Sequence, residues 1–208
     1  MKKLTLLFLL LAFLLPVQSE AKTTLEKARD KAYKTKLKEY KKDKWAATGT
    51  KPIELCLAEH YDRLNTLGED GFEVEGISAS SKSKNIGIQA AINNAIITYA
   101  QQAGSSLKGR VVSDINANLS DSNTEFDNFF AAYERLVEKE IKNEMQPSFT
   151  IMRNNGDGTV EVRTYFIVEE NSAQKARLRA LEEAMQNSEI AAEHADKISE
   201  FVKKGFVD

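Results

Sequence analysis

One long apolar stripe limits the folds open to this chain. Ile88, Ile92, Ala95, Ile96, Tyr99, Ala103, Leu107, Val111, Ile115 and Leu119 recur in steps of three and four, which places them on one side of a helix. Just before it, Phe72, Val74 and Gly76 alternate with Glu73 and Glu75, the period of a half-buried strand. A strand feeding a long packing helix predicts an α+β scaffold. Gly104-Ser105-Ser106 weakens the helix midway, so residues 107–118 are open to helix or strand, and the unbroken phase of the stripe favours helix. Ser83 is placed to cap its start.

The N-terminus is read as a leader. Lys2 and Lys3 precede an apolar run from Leu4 to Val17, and Ser19-Glu20-Ala21 offers small residues where signal peptidase inspects the chain. Pro16, Gln18, Ser19 and Glu20 interrupt the run before it reaches the roughly 20 apolar residues of a membrane span. Export to a periplasmic type of compartment, with cleavage after Ala21, is the expectation, and secretion is the alternative. The single thiol, Cys56, leaves no internal disulfide.

The formal net charge of −2 conceals an asymmetry. Residues 22–46 hold ten Lys or Arg against four Asp or Glu, a balance of +6. The leader adds +1, so residues 47–208 carry −9. Within the arm, Leu25, Ala28, Ala32, Leu37 and Tyr40 fall at near-helical spacing and predict a thinly amphipathic helix. Such an arm docks on its own acidic body or binds an envelope protein or anionic surface in trans. Export removes nucleic acid as a partner.

Further along, Pro52 opens a helix with Ile53, Leu57 and Leu64 inward, and Gly76 marks a bulge where the apolar side of the first strand switches to Ile77 and Ala79. Ser122 and Glu125 have capping-box spacing ahead of a helix carrying Phe126, Phe129, Phe130, Tyr133, Leu136, Val137 and Ile141 on one side. Phe149–Met152 and Val160–Val168 flank Asn154–Gly158, the pattern of an antiparallel hairpin. Val160, Val162, Phe166 and Val168 share one strand face, which is expected to meet the Phe-rich helix, with Glu161 on an opposite, inconsequential face. From Asn171 a helix runs to the C-terminus, and its length predicts projection beyond the core.

The expected organisation is therefore a leader (1–21), a basic helical arm (22–46), a helix and connecting loop (47–71), an α+β domain (72–170) and a C-terminal helix (171–208). The domain is a small antiparallel sheet of about three strands under long helices.

Chemistry-bearing motifs are sparse. Cys56 and His60 stand four apart on one predicted helix, enough for two metal ligands but not a site, and His194 is the only other histidine. They are read as a packed cysteine and a surface histidine. Ser81-Lys82-Ser83-Lys84 matches Ser-x-x-Lys without its companion motifs, and Asn154–Gly158 lacks the alternating acids of a calcium loop. No catalytic, cofactor-binding or metal-binding residue is assigned, and no cofactor is expected.

Gly76-Ile77-Ser78-Ala79-Ser80, the Ala-rich stretch Asn85–Gln102 with its Asn94-Ala95 step, Gly104 and Val111-Val112-Ser113 together resemble the lipoprotein-twenty family of small bacterial envelope proteins. The resemblance covers about Phe72 to Val168 and implies a compact strand–helix–strand–strand domain without established catalytic residues. The lipid-attachment cysteine of that family is absent, so outer-membrane anchoring does not carry over. The function expected is a non-catalytic envelope accessory or scaffold that works by binding. The rivals are a small-ligand module with a pocket between sheet and helices, and an enzyme.

Overall fold

The computed structural model describes residues 23–115 and 123–206; the leader, Leu119 and the Ser122 cap lie outside them. Helix α1 (Thr24–Lys42) leads to a short strand β1 (Ala46–Ala47), helix α2 (Ile53–Leu67) and strand β2 (Gly71–Ser81). Helices α3 (Lys84–Ile115) and α4 (Asn123–Ile141) follow, then strands β3 (Gln146–Asn154) and β4 (Val160–Glu169). Helices α5 (Glu170–Met185), α6 (Glu189–Glu193) and α7 (Ala195–Lys203) close the chain.

The class is α+β. The sheet has four strands rather than three, antiparallel in the order β1-β3-β4-β2. The strand missed in the sequence is only Ala46-Ala47, whose partners are Met152 and Ile151, and two alanines carry no periodic signal. Asn154–Gly158 makes the hairpin turn, with Gly156 and Gly158 at φ of 85° and 83°, a region that disfavours side chains with a Cβ.

Gly76 does not mark a bulge. The pairing of β2 with β4 is continuous from Gly71 to Ser78, and the irregularity falls between Ser78 and Ser81. A Cβ at Gly76 would lie 1.9 Å from the Ala91 carbonyl oxygen and 2.8 Å from Ala95 Cβ. Gly76 is thus the point where α3 comes down onto the strand. Ile77 faces outward and is exposed, so the apolar side never switches. Asn94 Nδ2 donates to the Ile77 carbonyl at 2.7 Å, tying helix to strand beside that contact. The Gly-strand, Ala-helix and Asn-Ala pattern is one close-packing unit.

The stripe on α3 runs unbroken as helix through Leu107 and Val111, both buried. On that side of the sheet the core combines Val74, Ala95, Ile96, Tyr99, Phe166 and Val168 with Phe126, Phe129, Phe130 and Tyr133 of α4. Of the strand face expected to meet the Phe-rich helix, Phe166 and Val168 share this core, whereas Val160 and Val162 are not part of it. Helix α4 reaches it from a second layer, packing on α3 and α5.

The opposite face of the sheet is covered as well. Tyr40, Trp45, Ile53, Leu57, Tyr61 and Leu64 pack on Phe149, Ile151, Tyr165 and Ile167. β4 is consequently buried on both faces, and the arm and α2 belong to the fold. The C-terminal helix breaks at Gln186-Asn187-Ser188 and folds back; Ile198, Phe201 and Val202 enter the core, so it does not project. Arg110 donates to the carbonyls of Phe201 and Gly205, capping α7 from α3.

Candidate functional site

The densest polar chemistry lies where α1 and α2 meet the sheet. His60 on α2 is buried, not at the surface as the sequence suggests. Its Nδ1 lies 2.8 Å from Ser148 Oγ, and its Nε2 lies 2.7 Å from Glu73 Oε2. Glu73 Oε1 takes a charged hydrogen bond from Lys36 Nζ of α1 at 2.6 Å. Ser148 is the extra residue between Pro147 and Phe149, where the register of β3 shifts against β4.

Beside this chain runs a second. Tyr165 donates to Glu75 Oε1 at 2.7 Å, and Tyr40, 2.6 Å away, therefore donates to the Tyr165 oxygen. Lys36 Nζ sits 4.8 Å from the Tyr165 ring centre. Trp45 is clasped between the guanidinium groups of Arg153 and Arg163, at 4.8 and 4.7 Å from its ring centre. Both arginines bind the carboxylate of Glu161. Glu161, expected to be inconsequential, is buried because Trp45 and the arm cover that face.

The protonation of these groups follows from their surroundings. Burial by itself would raise the Glu73 carboxyl, but the contact with His60 and the charge of Lys36 outweigh it and hold the group below its ordinary value. Burial pushes the Tyr40 and Tyr165 hydroxyls up, and Glu75 pushes Tyr165 further, so both stay neutral donors. Burial also raises the Cys56 thiol, which makes it a poor nucleophile.

A serine, an imidazole and a carboxylate in series invite comparison with a hydrolytic triad. The surroundings favour a structural joint. The carboxylate is shared with Lys36, and the imidazole is walled by Tyr61, Phe149 and Tyr165, with ring centres 5.3, 5.3 and 6.2 Å away. A nearby cavity of about 200 Å³ is lined by Arg63, Thr66, Leu67, Gln146, Ile167 and Glu169, and neither Ser148 nor His60 borders it. Ser148 itself is only partly buried.

Cys56 is half-buried, with its thiol 3.8 Å from the Lys51 carbonyl oxygen. His194 sits at the junction of α6 and α7, whose helices pack on the other side of the sheet, so the structure does not bring the three sulfur and imidazole groups together. Among the described residues no cluster of three His, Cys, Asp or Glu could hold a metal. Ser81 and Lys84 make separate contacts, to the Ser83 and Thr48 carbonyls. Glu73 and Ser148 had no spacing signal linking them to His60, since they lie on strands 13 and 88 residues away.

Comparison with family models, characterised proteins and solved structures finds no match to this chain. No helix among the described residues is long and apolar enough to cross a membrane.

Proposed function

We propose that this chain is a non-catalytic accessory or scaffold protein of the cell envelope, exported by its leader and acting through binding. The observation that carries this reading is the joint between arm and sheet. Ser148, His60, Glu73, Lys36, Tyr40, Tyr165 and Glu75 are spent on one another, holding α1 and α2 against the strands. Their chemistry makes a rigid body with an arm fixed in place. The lipoprotein-twenty resemblance, which rests on the residues of β2 and α3, points the same way.

The layer between sheet and α3, where a small-ligand module would keep its pocket, is filled by Val74, Ala91, Ala95 and Phe166. The arm is docked in cis through Arg29, Tyr33, Lys36 and Tyr40, and still presents charge outward. Cell fractionation followed by cross-linking and mass spectrometry on intact cells tests the reading. The expected result is a processed protein in the envelope fraction, cross-linked reproducibly to an envelope component. A cytoplasmic protein with an intact leader would contradict it.

A further inference from the structure

The arm has two opposite faces, and only one is used by the fold. Arg29, Tyr33, Lys36 and Tyr40 point inward: Arg29 donates to the carbonyls of Leu64, Gly68 and Gly71, Tyr33 packs on Tyr61, and Lys36 and Tyr40 join the polar network. Ala28, expected on the docking face, is exposed instead. Two residues before each inward position stand Lys27, Lys31, Lys34 and Lys38, and a step of two turns a helix by about 200°. Lys42 continues that line.

All five of these lysines are exposed, and none has an ion-pair partner among the described residues. The neighbouring Lys41 is paired with Glu54 at 3.0 Å, and Asp30 and Glu39 flank the row. From Lys27 to Lys42 the row is about 22 Å long at 1.5 Å per residue. Because the inward face is held by hydrogen bonds and a buried tyrosine, the row is presented as a fixed line of charge.

We infer that this row is a docking face for an anionic lipid bilayer, against which α1 lies flat. The inference rests on the envelope reading above and names the partner of the arm. The composition of the row argues for a bilayer over a shaped protein partner. It consists of lysines, hydrated point charges, without the arginine forks or aromatic anchors that recognise a particular carboxylate pocket. No large apolar side chain lies among them, so the helix adsorbs on headgroups without inserting. The leader's apolar run ends at Val17, ten residues before Lys27, which delivers the row beside a membrane during export.

Each basic residue at an anionic membrane surface adds about a fivefold gain in affinity. Changing Lys27, Lys31, Lys34, Lys38 and Lys42 together to Gln should therefore weaken binding by about a hundredfold or more. The protein, purified in its native form, is co-sedimented with phosphatidylglycerol-rich vesicles and with pure phosphatidylcholine vesicles. Binding only to the former is expected, lost as salt rises from about 0.1 to 1 M and the screening length falls from about 10 to 3 Å. The Gln variant should keep the melting temperature of the parent and lose the binding, and the matching five-Arg variant should keep both. Equal binding to neutral vesicles, no binding, or full binding by the Gln variant would overturn the inference. So would tight binding to polyglutamate without binding to vesicles, which would point to an acidic protein. Each of these results leaves the envelope reading standing, since that reading fails only on location or on intact-cell cross-links.

Discussion

Replacing Gly76 by Ala adds one methyl group at the tightest contact between strand and helix. The new Cβ would lie 1.9 Å from the Ala91 carbonyl oxygen and 2.7 Å from Ala95 N, whereas ordinary contact begins near 3.4 Å. Both obstacles are helix backbone, so no side-chain rotation relieves them, and α3 must retreat by about 1.5 Å. Overpacking typically costs about 1–3 kcal/mol, and a clash with backbone belongs at the upper end. For a chain of this size about 3 kcal/mol lowers the melting temperature by about 6–12 °C. Gly109 on the same helix is the control, because a Cβ there meets nothing within 4 Å. Gly109→Ala should raise stability by about 0.5–1 kcal/mol through helix propensity alone. The assay is thermal and urea denaturation of both variants, followed by circular dichroism. A neutral Gly76→Ala would refute the close-packing account of the Gly-strand and Ala-helix pattern.

Four further outcomes follow from the packing and the polar joint. Phe129→Ala, in the core between α4 and its neighbours, should cost about 3–5 kcal/mol in urea denaturation. Glu161→Ala should cost about 1–2 kcal/mol, discounted for the partial exposure of Arg153 and Arg163, and should red-shift the emission of Trp45, the only tryptophan; an unchanged spectrum would deny the clasp. Because Glu73 is held below its ordinary pKa, its contribution is full above the unfolded carboxylate range and fades as pH falls through the lower folded value. The melting-temperature gap between parent and Glu73→Gln should thus be widest near neutrality and close as pH falls through that lower folded value, and a gap that widens in acid would reverse the sign. Cys56→Ser, at a half-buried thiol, should leave the melting temperature within about 2 °C of the parent.

Much of the scaffold is legible in the residues because its signals are periodic. The α3 stripe, the Phe face of α4 and the Asn/Gly turn each have a local physical cause, and each appears where its spacing puts it. The second layer was less visible. Tyr165-Phe166-Ile167-Val168 is a continuous apolar run, which signals a strand buried on both faces, yet Val160-Glu161-Val162 at its start alternates and suggests one wet face. Glu161 is polar but buried because Arg153 and Arg163, only 8 and 2 residues away, bind its carboxylate while Trp45 of the arm, more than a hundred residues away in sequence, packs on both guanidiniums. In α1 the apolar positions mark only part of the docking face: Ala32, Leu37 and Tyr40 do pack there, but Ala28 is exposed, and Arg29 and Lys36 are inward residues that bind carbonyls and a carboxylate. A charge used for docking and a charge left outside look the same in a sequence.

The reading of the polar joint as a structural clamp is tested most directly by a fluorophosphonate, which phosphonylates serines activated by a neighbouring imidazole. Intact protein is incubated with the reagent and its mass measured, with His60→Gln as the comparison. The account predicts no adduct at Ser148, because His60 is walled by aromatic rings and Glu73 is committed to Lys36. A stoichiometric adduct on Ser148 that disappears in His60→Gln would show a reactive serine and contradict the non-catalytic reading.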